Sequence, residues 1–427
     1  RVRRGDLIVA KTDPPLVSVF AAGVARIRGA RLVNWLQDVF PEIAERTEAG
    51  FIIQGPGGRW LTKLRDASLH RARVNVVLGD AMRRLIAARG VPQGRIRVVA
   101  NWVDDRKITP LPRGESALQV PWGLEGKFVV GYSGNMGHVH EFDTIISAAA
   151  RLARREDIVF LFIGRGKQRG VVEREVGERG LRNVRFKPYQ EQDVLRESLG
   201  ALDVHLVTQR PAVEGLVFPS KLYAGLAAGR PIVFIGPTDG DVAKLLLEGG
   251  CGLAFAPGDA GGVAGAIEQL AADRFLGEAL GANGRRLLES RFSRDNAIAA
   301  WEELLRGAIG ERILVLLQRI EQRAVREPLR EREVFPVAGD RRDVGEHLVH
   351  AALLGAQHLL HLRVGQLRQQ YAAPVRERDQ HLDQVVAALE FSCLHLALRH
   401  GFTTLSPPAT EKFTSYAGNG IGLFVLI

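Results

Sequence analysis

Cysteine is nearly missing from this chain: its 427 residues hold two, Cys251 and Cys393, too few and too far apart for a disulfide framework or a zinc site. A reducing cytoplasm is the compartment this implies. Long apolar runs are missing as well. Nothing reaches the roughly eighteen consecutive apolar residues that a membrane-spanning helix needs, and the longest candidate is broken by Gln357, His358, His361 and Arg363. No signal peptide is recognisable, because Arg1 and the four residues after it lead straight into a strand-like run, so the chain reads as beginning inside a domain. Zinc-finger, helix-turn-helix and RNP signatures are also lacking, which weighs against nucleic acid, and none is expected as a partner.

What is present is ordinary for a globular protein, with 46% hydrophobic and 25% charged residues and room for two or three domains. A formal charge of +10 points to an anionic partner, and charge alone does not choose among nucleic acid, an anionic membrane surface and a phosphate-bearing substrate. Apolar strand-like runs at residues 6–10, 32–36, 75–78 and 96–100 alternate with helical spacing, including a helix stopped by Gly29 and another running from Asp80, a plausible N-cap, to Gly90. Residues 104–126 break the pattern with Pro110, Pro112, Gly114, Pro121, Gly123 and Gly126, and read as a linker. The alternation then restarts with strands expected at 128–132, 158–163, 184–186, 203–208, 231–235 and 252–255, each followed by helical spacing. Three helical segments close the unit near Arg306. Strands alternating with helices imply parallel sheets, so the expected fold class is α/β with two doubly wound domains. The expected organisation is a truncated first domain over 1–103, the linker at 104–126, a second domain over 127–310, and a helical or poorly ordered tail over 311–427. That tail is rich in Arg, Gln and His, and its composition fits an added helical module, a partner-binding extension or sequence not selected as protein.

In an open parallel sheet, ligands sit beyond the carboxyl ends of the strands, where loops and helix amino termini converge. After the strand at 128–132 come Ser133, Gly134, Asn135, Met136, Gly137 and His138, small enough in places to let backbone N–H groups approach a phosphate. After the next strand come Gly164, Arg165, Gly166 and Lys167, a glycine turn with two cations. Either turn alone is common, but two on one edge make a candidate anion site. The strongest stretch runs Glu214, Gly215, Leu216, Val217, Phe218, Pro219, Ser220, Lys221. Pro219 suits the first turn of a helix, whose amides and positive dipole end would point into the crevice. Lys221 would add a point charge, and Glu214 an acceptor for sugar hydroxyls. The competing reading is a capped helix with a solvated lysine.

Six strings of this chain, in order and spanning about residues 6–306, resemble bacterial glycosyltransferases of family 4, in particular the colanic-acid-type and N-acetylfucosaminyl transferases of surface polysaccharide synthesis. They are Gln37-Asp38-Val39-Phe40-Pro41-Glu42, Asn101-Trp102-Val103-Asp104, residues 132–137, Lys187-Pro188-Tyr189-Gln190, residues 203–207 and residues 214–231. The resemblance implies a GT-B enzyme of two Rossmann-like domains, with the acceptor on the first and a nucleotide sugar of UDP or GDP type on the second. It further implies Pro188 and Tyr189 at the base, Gly134, Asn135 and Gly137 near the diphosphate, and Glu214 on the donor sugar with the following amides on phosphate. Retention of configuration and independence of metal come with it. The family's usual second glutamate is Leu222 here, and its glycine-loop Arg and Lys are Asn135 and His138, so Lys221, Arg165 and Lys167 are the expected phosphate cations.

Asp38, at the end of a first-domain strand, is read either as a cap or as the group that orients or deprotonates the acceptor hydroxyl. Asp239-Gly240-Asp241 looks like a metal-binding Asp-x-Asp, but it stands just before a helix at 242–247 and is read as its cap. No metal site is expected. His138 and His140 straddle a turn, and His347, His350, His358 and His361 lack acidic or thiol partners, so none is expected to ligate metal. Lys63, Arg65, His70, Arg71 and Arg73, interleaved with Leu61, Leu64 and Leu69, form either an amphipathic surface for peripheral contact with an anionic membrane and a polyprenyl-linked glycan, or a solvated face. The expected function is transfer of a sugar from a nucleotide donor to a glycan or lipid-linked glycan in the cytoplasm. The alternatives are a sugar-nucleotide epimerase of like architecture and a remnant that binds nucleotide without transferring.

Overall fold

A computed structural model describes residues 2–13, 15–47, 56–309 and 424–426. The helices expected in the tail, its four spaced histidines and Cys393 lie outside the described residues. Two parallel sheets carry the rest, as the strand-helix alternation implies.

The first sheet is built from β1 (Leu7–Lys11), β2 (Arg31–Trp35), β3 (Val74–Val77) and β4 (Ile96–Val98) in that order. Its connecting helices are α1 (Val17–Arg28), α2 (Glu42–Glu45), α3 (Pro56–Arg71) and α4 (Asp80–Ala88). A short strand, β11 (Phe424–Leu426), pairs antiparallel with β1. Gly29 ends α1 in the left-handed region, φ 66°, the conformation a side chain would resist. Asp80 is the first residue of α4 rather than its cap, a position held by extended Gly79.

The second sheet has the order β10-β9-β8-β5-β6-β7, where β5 is Phe128–Ser133, β6 Ile158–Ile163, β7 Val184–Lys187, β8 Val204–Thr208, β9 Ile232–Ile235 and β10 Gly252–Phe255. All six residues of β6 are buried, as expected of a strand covered on both faces. The chain winds one way from β5 through β6 to β7, then returns to build β8, β9 and β10 on the other side. The order therefore reverses between β5 and β8, and ligands in such sheets bind at that reversal. Helices α5 (Asp143–Arg151), α6 (Arg169–Glu178), α7 (Leu195–Gly200), α8 (Lys221–Ala227), α9 (Asp241–Gly249), α10 (Ala260–Ala272) and α11 (Arg274–Leu287) cover the sheet. The last helix among the described residues, α12 (Arg294–Ile309), follows the second sheet in sequence but covers the first. Its Trp301 meets Trp35 edge-on at 4.8 Å, beside buried Leu7, Val9, Val33 and Val76.

Residues 104–126 form turns without regular structure and are anchored on the second domain. Ile108, Leu111 and Leu124 are buried, Arg113 pairs with Asp203 at 2.6 Å, and the Ser116 hydroxyl donates to the Glu197 carbonyl. Among the described residues no helix is long and apolar enough to cross a membrane.

The amphipathic surface expected around residues 61–73 loses its centre. Arg65 is 4% exposed, donates to the Phe40 carbonyl, and pairs with both Glu42 and Asp66. Leu69 is buried in an apolar cluster of the first domain that Val213 and Leu216 join. Lys63, Arg71 and Arg73 alone keep an exposed, outward role on that stretch, since the exposed His70 ring bonds the Arg89 carbonyl. Removing one member of a buried charge cluster leaves the others poorly compensated. Arg65→Ala is therefore expected to cost about 3 kcal/mol, read as a lower urea midpoint at unchanged slope. A loss under about 0.5 kcal/mol would place Arg65 among ordinary surface residues.

Candidate functional site

The pairing of β5 with β6 sets the glycine turns at their carboxyl ends side by side, and the reversal of strand order brings the end of β8 beside β5. Gly134 has φ 133° and Gly164 φ 143°, both in the region that favours glycine. A Cβ on Gly164 would stand 2.0 Å from the Gly134 carbonyl oxygen, and one on Gly166 would stand 2.6 Å from the Met136 nitrogen. Only bare backbone lets the two turns interlock. Gly134 N donates to the Ile163 carbonyl and Met136 N to the Arg165 carbonyl, both within 2.8 Å. Tyr132 holds the turn from below, its hydroxyl donating to the Asn135 carbonyl at 2.7 Å.

Lys221, in the first turn of α8, reaches back into this structure. A Cβ on Gly134 would stand 2.6 Å from its Cε, so glycine there leaves room for the lysine stem. The ammonium lies 5.2 Å from the centre of the Tyr132 ring and 3.0 Å from His140 Nε2. His140 Nδ1 stands 2.8 Å from the Thr208 carbonyl at the end of β8. A carbonyl only accepts, so Nδ1 carries the hydrogen and Nε2 offers its lone pair to the ammonium. Burial, then the Lys221 charge, lowers the imidazole to a pKa of about 3, which keeps it neutral. Burial alone lowers Lys221 to about 8. Among the described residues no carboxylate pairs with this lysine.

The same loop is braced by a residue that sequence reasoning passed over. Arg210 donates from Nε to the His140 carbonyl at 3.0 Å, and its amide donates to the Val139 carbonyl. Gln168 adds donations to the carbonyls of Gly137 and His140. Lone polar residues in loops give no spacing signal, so neither stood out. His138 is half-buried between these contacts, and Gly137 packs beside the Asn135 side chain. Arg165 and Lys167 are exposed, with the Arg165 guanidinium 5.4 Å from the centre of the Tyr189 ring. Tyr189, 49% exposed after exposed Pro188, presents a flat face backed by a cation. Gly134, Asn135, Gly137, His138, Arg165, Lys167, Pro188, Tyr189 and Lys221 thus gather on one edge.

The stretch before Lys221 departs from expectation in three ways. Helix α8 begins at Lys221 with Ser220 as its N-cap residue, so Pro219 lies outside the helix rather than in its first turn. Ser220 is exposed, and the Pro219 carbonyl accepts the Leu222 amide. Leu216 leaves the expected phosphate-binding set: its side chain is 4% exposed in the core shared with the first sheet, and its amide already donates to the Val213 carbonyl. Its own carbonyl accepts from Val39 N at 2.8 Å, across the two domains. Gly215, at φ 74°, faces the Ala81 backbone, and the Val217 carbonyl accepts from Gln209. This loop joins the domains as well as lining a site.

Glu214 and Asp241 are linked in the same way. Glu214 Oε1 accepts from Asp241 N at 3.0 Å, and Asp241 Oδ2 accepts from Ala81 N at 2.7 Å. Asp241 therefore caps α4 of the first domain rather than its own helix, whose start Glu214 caps. Glu214 is half-buried, and that burial raises its pKa. Asp38 stands apart from both clusters, beyond the end of β2. Crowding by the protein and then the nearby Asp13 charge raise it to about 6, although the side chain is still open to solvent. The Asp38 turn is tied to β1 by Gln37 N donating to Thr12 Oγ1 at 3.0 Å.

Residues 127–273, the stretch that holds the glycine turns and Lys221, match the family described as "Glycosyl transferases group 1". The chain is 28% identical over 276 residues to the probable glycosyltransferase WbjE of Pseudomonas aeruginosa, an alignment covering 63% of this chain and 67% of that protein. It is 30% identical over 211 residues to the putative colanic acid biosynthesis glycosyl transferase WcaI of Escherichia coli K12, covering 48% and 51%. It thus spans about two thirds of the first and about half of the second. Among solved structures, Anabaena HepE in complex with UDP-glucose matches with a TM-score of 0.56 at 19% identity, over 67% of this chain and 75% of that one. WaaG, a glycosyltransferase involved in lipopolysaccharide biosynthesis, matches with a TM-score of 0.52 at 16% identity, over 66% and 79%. At such identities these two carry the fold alone, and the family match speaks for residues 127–273. Residues 127–273 thus form a glycosyl transferases group 1 domain, in a chain whose two parallel-sheet domains have GT-B architecture.

Proposed function

We propose that this chain transfers a glycosyl group from a nucleoside-diphosphate sugar, of UDP or GDP type, to a glycan or polyprenyl-linked glycan in the assembly of an envelope polysaccharide. The observation that carries the proposal is Lys221. Its ammonium is held at a glycine turn at the strand-order reversal, and its described partners are a neutral imidazole and an aromatic ring. A cation so placed is complementary to a diphosphate. The name of WcaI, in colanic acid biosynthesis, supports polysaccharide as the product class, and the UDP-glucose bound to HepE supports the donor class. Nothing on the molecule favours the epimerase.

In the proposed reaction the bond between the anomeric carbon and the terminal phosphate oxygen breaks, and the nucleoside diphosphate leaves with growing negative charge. Lys221 stabilises that charge where it develops, assisted by the exposed cations Arg165 and Lys167, with no metal in the scheme and with retention at the anomeric carbon. Tyr189 offers a stacking face to the base. Glu214 accepts from the donor sugar's hydroxyls with the oxygen not used on Asp241. Asp38 orients the acceptor hydroxyl and takes its proton, a role suited to a carboxylate whose pKa is raised to about 6. With a polyprenyl-linked acceptor, the reaction takes place at the cytoplasmic face of a membrane.

Lys221→Met should weaken UDP or GDP binding by about tenfold in isothermal titration while leaving uridine or guanosine nearly unchanged. Equal losses for nucleotide and nucleoside would remove the phosphate contact. Glu214→Gln keeps an acceptor for the Asp241 amide, so it should retain wild-type thermal stability yet lose transfer. Full turnover would confine Glu214 to its capping role. The pH profile of kcat/KM should fall on both sides. Asp38 must be ionised, so rate is lost as pH drops through about 6, and Lys221 must be protonated, so rate is lost as pH rises through about 8. Lys221→Met should abolish the alkaline limb, and its persistence in that variant would assign it elsewhere.

A further inference from the structure

His140 carries no role in the reaction scheme above, yet both of its ring nitrogens are engaged. Nδ1–H donates to the Thr208 carbonyl at the end of β8, and Nε2 accepts from Lys221. The ring is 6% exposed and is flanked by Tyr132 and Phe142 at centroid distances of 5.7 and 6.2 Å. Thr208 also fixes the chain just after the histidine, because its hydroxyl accepts the Glu141 amide. From the other side, Arg210 and Gln168 hold the His140 carbonyl. The imidazole is therefore immobile in position, in rotation and in tautomer.

A lysine side chain has four rotatable bonds, and a ligand that must order it loses affinity in proportion. A carboxylate partner would order it too, but would cancel the charge on which a phosphate acts. A neutral acceptor avoids that cancellation. We infer that His140 is a positioning residue that holds the Lys221 ammonium at the Gly134 turn without neutralising it, so that a nucleoside diphosphate meets a preformed cation. The inference rests on the donor-site reading of Lys221. Two cations, Lys221 and Arg210, lie close to the imidazole and oppose its protonation, which preserves Nε2 as an acceptor.

The test is a double-mutant cycle in the full chain with UDP, GDP and their nucleosides as the probes. His140→Phe keeps an aromatic ring between Tyr132 and Phe142 but removes both polar atoms. It should weaken diphosphate binding by about tenfold and leave nucleoside binding within about twofold. In a Lys221→Met background the same change should cost nothing further, because its effect runs through the lysine. His140→Gln offers an amide oxygen to the ammonium and an amide N–H to Thr208, so it should restore most of the affinity. Should His140→Phe bind diphosphate as wild type does, or lose as much affinity without Lys221 as with it, the positioning role is overturned. A loss shared equally by nucleoside and diphosphate would make His140 a packing residue and also overturn it. If the unaltered chain binds neither UDP nor GDP, the donor-site reading fails first and takes this inference with it.

Discussion

The closest constraint in this molecule is the interlocking of two glycine turns at the carboxyl ends of β5 and β6. Gly164 and Gly166 lie so near the backbone of residues 134–136 that no side chain fits between them. Each turn thereby takes its shape from the other, and the backbone amides and carbonyls cross-link them. The stem of Lys221 occupies the space that Gly134 leaves open. The cation's position is thus set by missing methyl groups on one side and by the imidazole of His140 on the other.

A second constraint joins the two sheets. Leu216 from the second domain completes an apolar cluster with Leu36, Val39, Val77 and Met82 of the first, and its carbonyl accepts from Val39. Beside it, Glu214 caps α9 and Asp241 caps α4. A buried leucine and two capping carboxylates make a joint with both apolar and directional parts. The residues of the proposed donor site are thus continuous with those that hold the domains together. A change at Glu214 acts on both, which is why an isosteric amide is more informative there than alanine.

Much of the fold was legible because burial imposes period. The continuous apolar run of β6, the alternation of strand and helix and the glycine that stops α1 are local patterns, and among the described residues the expected strands formed within a few residues of their expected places. The candidate site was legible only as residue types at strand ends. Gly134, Gly164 and Lys221 could be named from their loops, but their mutual contact depends on the strand order, which reverses between β5 and β8.

Chemical composition and local spacing thus determined the class of fold, and they named the strand-end residues on which the proposed site is built. Tertiary structure alone decided the partners. Lys221 and His140 are 81 residues apart and Asp241 and Ala81 are 160 apart, distances over which no periodic signal survives. The same holds for Leu216, drawn from the expected phosphate loop into the core, for Arg65, enclosed by Glu42 and Asp66, and for α12, which returns to cover the first sheet. The physical reason is common to all of them. A hydrogen bond or a buried contact is fixed by where backbones cross in space, and a chain records that crossing only in residue types compatible with many different partners.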